Sequence, residues 1–402
     1  MRFTDFYSTS GVCTPSRSSL MTGCYPRRVN MHVDSNEKHV FFPIEAKGLH
    51  PDETTLAELL KARGYATMCI GKWHLGDQPE ALPTRHGFDA YYGLPYSNDM
   101  GGTGGSDRRP PLPLLRGETV VEAPANQATL TRRYTLEAVR FIEANKDKPF
   151  FLYLPHTMVH EPLHSSALFS GASANGDLGD ALEEMDWSTG EILRALAAQG
   201  IDGRTLVLFT SDNGAPNKPG RSNAPLSGFK GSTMEGGMRV PCVARWPGKI
   251  PAGAECDEIA STLDILPTFA ALAGADISSP ERPIDGLDIR PLLLGEPGAR
   301  SPREAFFYYQ VKALSAVRSG QWKLRLGGEK TPAKLYDLSV DVGETQDVAA
   351  SHPDIVRRLE EYAARARADL GDGDTPGKGQ RPAARIDRDP APLVMPSQSN
   401  AK

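Results

Sequence analysis

The sequence is poor in cysteine, and its few cysteines are not arranged as a zinc motif or a disulfide framework. Five cysteines occur in 402 residues, an odd number, and none belongs to a Cys-x-x-Cys pair. This pattern argues against a zinc site and against a disulfide-rich secreted scaffold. Most of them are expected to be small buried apolar residues. Cys13 is the exception, because polar and basic residues follow it directly.

Long apolar runs and an excess of positive charge are also missing. No stretch approaches the roughly 18 apolar residues that span a bilayer, and the N-terminal MRFTDFYSTSG lacks the pattern of a signal peptide. We therefore expect no transmembrane segment. The formal net charge of −5 argues against nucleic acid as the main partner. A small anionic substrate is still compatible with this charge, because a basic pocket can form locally.

Alternating helix-like and strand-like segments predict the fold class. Amphipathic segments precede short apolar runs three times, as helices 55–65, 130–148 and 178–200 before strands 65–71, 149–154 and 205–210. This order is typical of an α/β fold with a doubly wound, mostly parallel sheet flanked by helices. The strand at 205–210 is nearly all apolar, so we expect it to be buried on both faces.

The sequence pattern changes beyond about residue 300. Short strands at close intervals predict a smaller C-terminal antiparallel sheet, followed by a helix at 352–370. We therefore predict an α/β domain over 1–290 and a small α+β subdomain over 291–370. Residues 371–402 are rich in Pro, Gly, Asp, Arg and Ser without periodicity, which predicts a disordered tail.

Polar clusters follow the three predicted strands directly. These side chains are Lys72, His74, His156, His160, Asp212 and Asn213. Ligand sites in open α/β sheets lie outside the carboxyl ends of the strands. We therefore expect the three clusters to meet at one edge of the sheet.

The stretch CTPSRSSLM, from residue 13, predicts the start of a helix. Pro15 suits a first helical turn, where backbone amides and the helix dipole favour a tetrahedral anion. Arg17 lies on the same helical face as Cys13 and can pair with that anion. A reactive thiol is one interpretation. Cysteine phosphatases, however, place their Cys and Arg six positions apart, whereas the separation here is four.

The sequence resembles the sulfatase family. Its CTPSRSSLMTG is similar to the family signature, and GKWHLG, the HEP at His160, SDNGA and GFKGSTMEGGMRVP resemble the other family motifs in the same order. The likeness extends from residue 2 to about residue 370. The stretch GLPYSNDMGG, residues 93–102, is similar to the arylsulfatase branch.

The resemblance implies hydrolysis of sulfate monoesters through formylglycine (3-oxoalanine). A formylglycine-generating enzyme would make this aldehyde from Cys13, and its hydrate would supply one hydroxyl to attack sulfur and another to expel sulfate. Arg17 would stabilise the modified residue. His74 would act as the base for sulfate release.

The resemblance also assigns the cations and the metal ligands. Lys72 and Lys230 would bind sulfate oxygens, and His160 would protonate the leaving oxygen. Asp212 and Asn213 would be oxygen ligands of a calcium ion. Three further residues are expected to bind the substrate, a small-molecule or glycan sulfate ester: His156, Asn98 and Asp99.

One family feature is missing from the sequence. The family's remaining metal ligands are two adjacent aspartates well before the signature cysteine, whereas 12 residues precede Cys13 here and Asp5 is their one acidic residue. We expect the chain to be a fragment of a longer protein or an inactive remnant. As given, it is expected to bind calcium weakly and to hydrolyse little.

Three other functions fit parts of the sequence. Phosphonate or phosphodiester hydrolases of the alkaline phosphatase superfamily share the implied fold and formylglycine. A catalytically inactive protein that binds sulfated glycans would keep Cys13 unmodified. A redox thiol activated by Arg17 would leave the other motifs unexplained. Family members are usually periplasmic or secreted, so the resemblance suggests export.

Overall fold

The computed structural model describes residues 1–102, 109–277, 281–328 and 331–396. The chain forms two compact units. The first comprises Met1–Val40 and Leu206–Ala383, and the second comprises Phe41–Thr205 and the residues from Ala384 onward. The division therefore differs from the predicted boundary near residue 290. Within the described ranges, no helix is both long enough and apolar enough to cross a membrane.

The described chain contains both helices and strands. The helices are α1 (Cys13–Thr22), α2 (Leu56–Ala62), α3 (Leu130–Asn145), α4 (Gly176–Ala198), α5 (Glu235–Met238), α6 (Ile265–Ala273), α7 (Arg290–Leu293) and α8 (Pro353–Leu370). The strands are β1 (Arg2–Phe3), β2 (Phe6–Tyr7), β3 (Lys47–Gly48), β4 (Ala66–Ile70), β5 (Ala90–Gly93), β6 (Leu114–Arg116), β7 (Thr119–Glu122), β8 (Phe150–Tyr153), β9 (Val207–Thr210), β10 (Cys242–Arg245), β11 (Glu255–Cys256), β12 (Ala260–Ser261), β13 (Phe306–Gln310), β14 (Ala313–Ser319), β15 (Trp322–Arg325), β16 (Lys334–Asp337) and β17 (Ala384–Arg385). The α/β fold class is confirmed.

The first unit contains a mixed sheet and an antiparallel sheet. The mixed sheet has the order β11-β1-β10-β9, with β1 parallel to β11 and antiparallel to β10. The antiparallel sheet, β13 to β16, packs against α8 through an apolar cluster that includes Phe306, Tyr308, Leu324 and Leu359. The predicted C-terminal sheet and helix are therefore present. They belong to the same unit as α1.

The second unit is built on the five-stranded sheet β7-β6-β5-β4-β8. Strand β4 lies between β5 and β8 and is parallel to both, whereas β6 and β7 are antiparallel. Helix α2 of this unit begins with a capping box. Thr55 Oγ1 accepts from Glu58 N at 3.1 Å, and the Glu58 carboxylate accepts from Thr55 N at 2.7 Å. These two bonds satisfy backbone donors that a helix start leaves unpaired.

The environment of strand β9 differs from the prediction that both of its faces are buried. It pairs with β10 alone at the edge of the mixed sheet in the first unit, and Phe209 is 38% exposed. The apolar run therefore forms an edge strand instead of a strand covered on both faces. The three polar clusters accordingly do not follow strands of one sheet, because β4 and β8 belong to the sheet of the second unit.

Residues 371–396 were expected to belong to a disordered tail, but in the structure they are held by hydrogen bonds. Arg27 Nη1 donates to Gly373 O at 3.0 Å. Further along, β17 pairs with β3, and Ile386 N donates to Ala46 O at 3.0 Å. Backbone hydrogen bonds and a buried arginine thus order a segment that has no apolar periodicity of its own. Residues 397–402 lie outside the described residues.

Candidate active site

Helix α1 places Cys13 at its first position. Val12 has extended backbone angles, φ −139° and ψ 159°, so the helix begins at Cys13 with Pro15 in its first turn. It ends at Thr22, and the next residue, Gly23, has a φ of 65°, in the left-handed region that glycine adopts without strain. Cys13 therefore lies at the positive end of the helix dipole, where backbone N–H groups favour an anion.

The segment after β9 lies directly against this helix start. Arg17 donates to Asp212 Oδ2 from Nε at 2.9 Å and from Nη2 at 2.8 Å. Cys13 Sγ lies 3.5 Å from Asn213 Oδ1. The arginine side chain is 8% exposed and the aspartate side chain 27%. The structure therefore brings together four predicted residues that lie about 200 positions apart in the sequence.

Lys230 is held beside these residues through its backbone. Lys230 N donates to Ala215 O at 2.9 Å, and Gly231 N donates to Gly11 O at 2.8 Å. Ala215 follows Asn213 closely in the sequence, and Gly11 precedes Cys13. The main chain at Lys230 is thus bonded to both segments that carry the other site residues of the first unit.

In the second unit, Lys72 and His160 lie on either side of a serine. Lys72 is 1% exposed, and its Nζ donates to Ser97 Oγ at 3.0 Å. The same hydroxyl oxygen lies 3.5 Å from His160 Nδ1. Ser97 was not among the predicted site residues. The available signal was its position beside Asn98 in a stretch already assigned to the substrate.

Hydrogen bonds define the tautomers of two predicted histidines. His74 Nε2 lies 2.8 Å from Phe41 O, and His160 Nδ1 lies 2.7 Å from Glu161 O. A carbonyl oxygen only accepts, so each of these nitrogens carries the hydrogen. In the neutral rings, Nδ1 of His74 and Nε2 of His160 are therefore the basic nitrogens. His74 also has a φ of 65°, a rare conformation for a non-glycine residue.

The two predicted substrate residues after Ser97 have different environments. Asn98 is 1% exposed, and its Nδ2 donates to Gln127 Oε1 at 2.9 Å and to Pro162 O at 3.1 Å. It therefore holds the loop that follows His160. The Asp99 side chain is 46% exposed, and its Oδ1 lies 3.8 Å from His160 Nδ1.

His156 packs among helices α3 and α4. Its Nε2 lies 3.3 Å from Ser188 Oγ, and its ring contacts Tyr134. Burial lowers the pKa of His156 to about 4. The ring is therefore neutral at neutral pH and offers no charge to a sulfate group. This environment differs from that expected for a substrate-binding histidine.

The oxygen donors near Cys13 are suitable for a divalent metal but too few to complete its coordination. Asp212 Oδ2 is already bonded to Arg17, and Asn213 supplies one amide oxygen. Among the described residues, no group of three or more His, Cys, Asp or Glu side chains could hold a metal ion. Asp5 is ion-paired with Arg239 and Arg318. Since calcium takes six to eight oxygen ligands, the described residues do not form a full calcium site.

Comparisons with known proteins agree with the sequence motifs. The sequence model of the Sulfatase family matches residues 1–275, and that of the family described as N-sulphoglucosamine sulphohydrolase, C-terminal, matches residues 230–369. Human arylsulfatase A is 38% identical, with 90% of this chain and 79% of that protein covered. Pig N-acetylgalactosamine-6-sulfatase is 40% identical, with 87% and 69% covered.

A solved structure has the same fold. The crystal structure of Ps i-CgsB in complex with k-i-k-neocarrahexaose superimposes with a TM-score of 0.78 at 29% identity, covering 90% of this chain and 84% of that one. The chain belongs to the sulfatase family. It is a sulfuric ester hydrolase by that membership, and formylglycine and a divalent metal are typical of the family.

Proposed function

We propose that this chain hydrolyses sulfate monoesters of a glycan or of an aryl alcohol. The nucleophile would be residue 13, after conversion of Cys13 to formylglycine. The contact between Cys13 Sγ and Asn213 Oδ1 at 3.5 Å, at the start of α1, carries the proposal. The glycan is favoured as substrate by the likeness to a protein solved in complex with k-i-k-neocarrahexaose. When formed, the hydrated aldehyde would supply both the nucleophile and the hydroxyl that expels sulfate.

The residues of the chain bind the sulfate group and move protons. Arg17 holds its guanidinium on the face of α1 that carries Cys13, and Lys72 and Lys230 offset the charge on the sulfate oxygens. In its protonated form His160 donates a proton from Nε2 to the departing ester oxygen, and Nδ1 of His74 removes the proton whose loss releases sulfate. In support of these roles, the hydrogen bonds to Phe41 O and Glu161 O leave Nδ1 of His74 and Nε2 of His160 as the nitrogens that can accept a proton.

Calcium is the proposed metal, with Asp212 and Asn213 as two of its ligands. The carboxylate and amide oxygens suit this hard cation. Because the described residues offer so few ligands, we expect weak binding and low turnover by the chain as given. Calorimetric titration with calcium, using Asp212→Asn as the control, measures this affinity. Submicromolar affinity abolished by the substitution would contradict the expectation of weak binding.

The function is tested by co-expression with a formylglycine-generating enzyme. Mass spectrometry of the peptide containing Cys13 detects the aldehyde, and an aryl sulfate reports turnover. We expect turnover only with the modified residue and none for Cys13→Ala. Faster hydrolysis of matched aryl phosphonates or phosphodiesters would favour the related hydrolases. Binding of sulfated glycans with an unmodified Cys13 and no turnover would favour a binding protein.

Export from the cytoplasm is proposed on the family resemblance alone. Fractionation of cells expressing the full gene, followed by detection of the protein in each fraction, tests this proposal. Recovery exclusively in the cytoplasm would contradict it.

A further inference from the structure

The segment that carries Lys230 is bonded to the site on one side and to the C-terminal sheet on the other. We call residues 227–238 the Lys230 loop. Its bonds to Ala215 and Gly11 face the site segments. On the other side, Gln310 Nε2 at the end of β13 donates to Gly231 O at 2.7 Å. The carbonyl of Gly231 is thus bonded to the C-terminal sheet, while its N–H is bonded beside Cys13.

A buried lysine provides a second attachment to the same sheet. Lys323 on β15 is fully buried, and its Nζ donates to Thr233 O at 2.9 Å. The ammonium group also lies 2.9 Å from carboxylate oxygens of both Glu235 and Glu344. A buried charge is costly unless it is paired and hydrogen-bonded. These partners provide that compensation, and one carboxylate and one carbonyl belong to the Lys230 loop.

Glu344 completes the connection between loop and sheet. Its Oε2 accepts from Glu235 N at 2.8 Å and from Ser227 Oγ at 2.9 Å, so it binds the loop on both sides of Lys230. Burial alone would raise the pKa of Glu235, but the positive charges of Lys323 and Arg318 outweigh it and lower that pKa to about 2. The Glu235 carboxylate is therefore ionised at neutral pH, and charged groups hold the loop to the sheet.

We propose that Gln310 and Lys323 are positioning residues that hold the main chain of Lys230 in the place required for sulfate binding. Neither residue contacts the substrate, and both act through the Lys230 loop. The inference rests on the proposed function in assigning Lys230 to the sulfate oxygens. It adds that the C-terminal sheet determines the geometry of a site cation, because productive alignment depends on fixed distances.

Gln310 is the better residue to test because it is exposed, whereas substitution of Lys323 risks unfolding the protein. Gln310→Ala removes the hydrogen bond, and Gln310→Glu keeps the shape but removes the N–H donor. Gln321→Ala is the matched control, since Gln321 Nε2 donates to Asp337 within the same sheet and not to the loop. Hydrogen exchange followed by mass spectrometry then measures protection of the loop amides.

The expected result is faster exchange in residues 229–236 for both Gln310 variants, by about fivefold, the effect of one ordinary hydrogen bond. Gln321→Ala should leave exchange in the loop unchanged. Unchanged loop exchange in Gln310→Ala would overturn the proposal. This readout does not depend on turnover, so it decides the positioning role even if the chain is inactive.

A double-mutant cycle separates this proposal from the proposed function. In the modified enzyme, Gln310→Ala should lower kcat/KM about fivefold and should have no further effect when Lys230 is already alanine. Equal losses in both backgrounds would overturn the proposal. If Lys230→Ala itself leaves kcat/KM unchanged, the role of Lys230 in the proposed function is wrong, while the exchange result still decides whether Gln310 holds the loop.

Discussion

Arg17 donates from two nitrogens to a single carboxylate oxygen of Asp212, at 2.9 and 2.8 Å. The two residues are 195 positions apart in the sequence. The pair joins helix α1 to the segment after β9, and this connection places Cys13 beside Asn213. A metal bound by Asp212 would therefore share this carboxylate with a guanidinium group. The ion pair therefore links the stability of the site to its affinity for a cation.

We first predict the effect of breaking this pair. Asp212→Asn removes the charge that Arg17 faces, and the arginine is left largely buried. We expect the free energy of unfolding to fall by about 1–3 kcal/mol, measured by urea denaturation. The control is Glu191→Gln in the exposed pair with Arg194, which should change stability by less than about 0.5 kcal/mol. Equal effects of the two substitutions would contradict the structural role of the Arg17–Asp212 pair.

A second prediction concerns Ser97. Ser97→Ala removes the hydroxyl that accepts from Lys72, so the buried ammonium loses one bond that fixes its position. We expect kcat/KM for an aryl sulfate to fall about three- to tenfold. Ser339→Ala is the control, because Ser339 donates to Asp337 at an exposed turn. A variant with full activity would show that Ser97 does not position Lys72.

A third prediction concerns acid stability. His86 is completely buried against Trp73, and burial lowers its pKa from 6.5 to about 4. The unfolded chain therefore binds a proton below about pH 6.5 that the folded chain does not bind until about pH 4. The free energy of unfolding should fall as the pH decreases through this window, by about 3 kcal/mol from His86.

Denaturant unfolding at several pH values checks this slope. His86→Phe removes the titrating group and keeps a ring against Trp73, so the slope between pH 6.5 and 4 should decrease. His156 contributes a slope of the same sign and remains in the variant. His50→Gln, at a ring that is 25% exposed, is the control that should retain the slope. An unchanged slope in His86→Phe would refute the assignment.

A fourth prediction uses the close approach of two glycines. A Cβ at Gly11 would lie 2.9 Å from Gly231 N and from Ser232 O, closer than atoms pack. Gly11→Ala should therefore displace the Lys230 loop, cost about 1–3 kcal/mol of stability, and lower kcat/KM about tenfold or more. Gly190→Ala in α4 is the control, where the nearest atoms belong to the flexible Arg194 side chain. It should keep full activity, and equal losses in the two variants would contradict the prediction.

Much of the local structure was predictable from the sequence. Pro15 after Cys13 indicated the start of α1, and the apolar run before Lys72 indicated β4. These features depend on backbone preferences and on side-chain periodicity within a few residues. The motif order likewise predicted the family. The roles of individual residues, including the metal ligands, stay predictions for the experiments above.

The environments of several side chains were not predictable in this way. Asn98 and His156 stand next to motif residues in the sequence, yet their hydrogen bonds and burial place them in the packing of the second unit. Strand β9 has the composition of a covered strand but lies at a sheet edge. In each case the deciding neighbours come from distant parts of the chain, which a local pattern does not specify.

The sequence by itself determined which chemical groups are present, where several of the helices and strands lie, and which family the chain resembles. Only the tertiary structure decided which nitrogen of His74 and His160 carries the hydrogen, which acid faces Arg17, and that Gln310 and Lys323 hold the Lys230 loop. The reason is physical: propensities act over a few residues, whereas burial and charge pairing depend on segments that folding brings together.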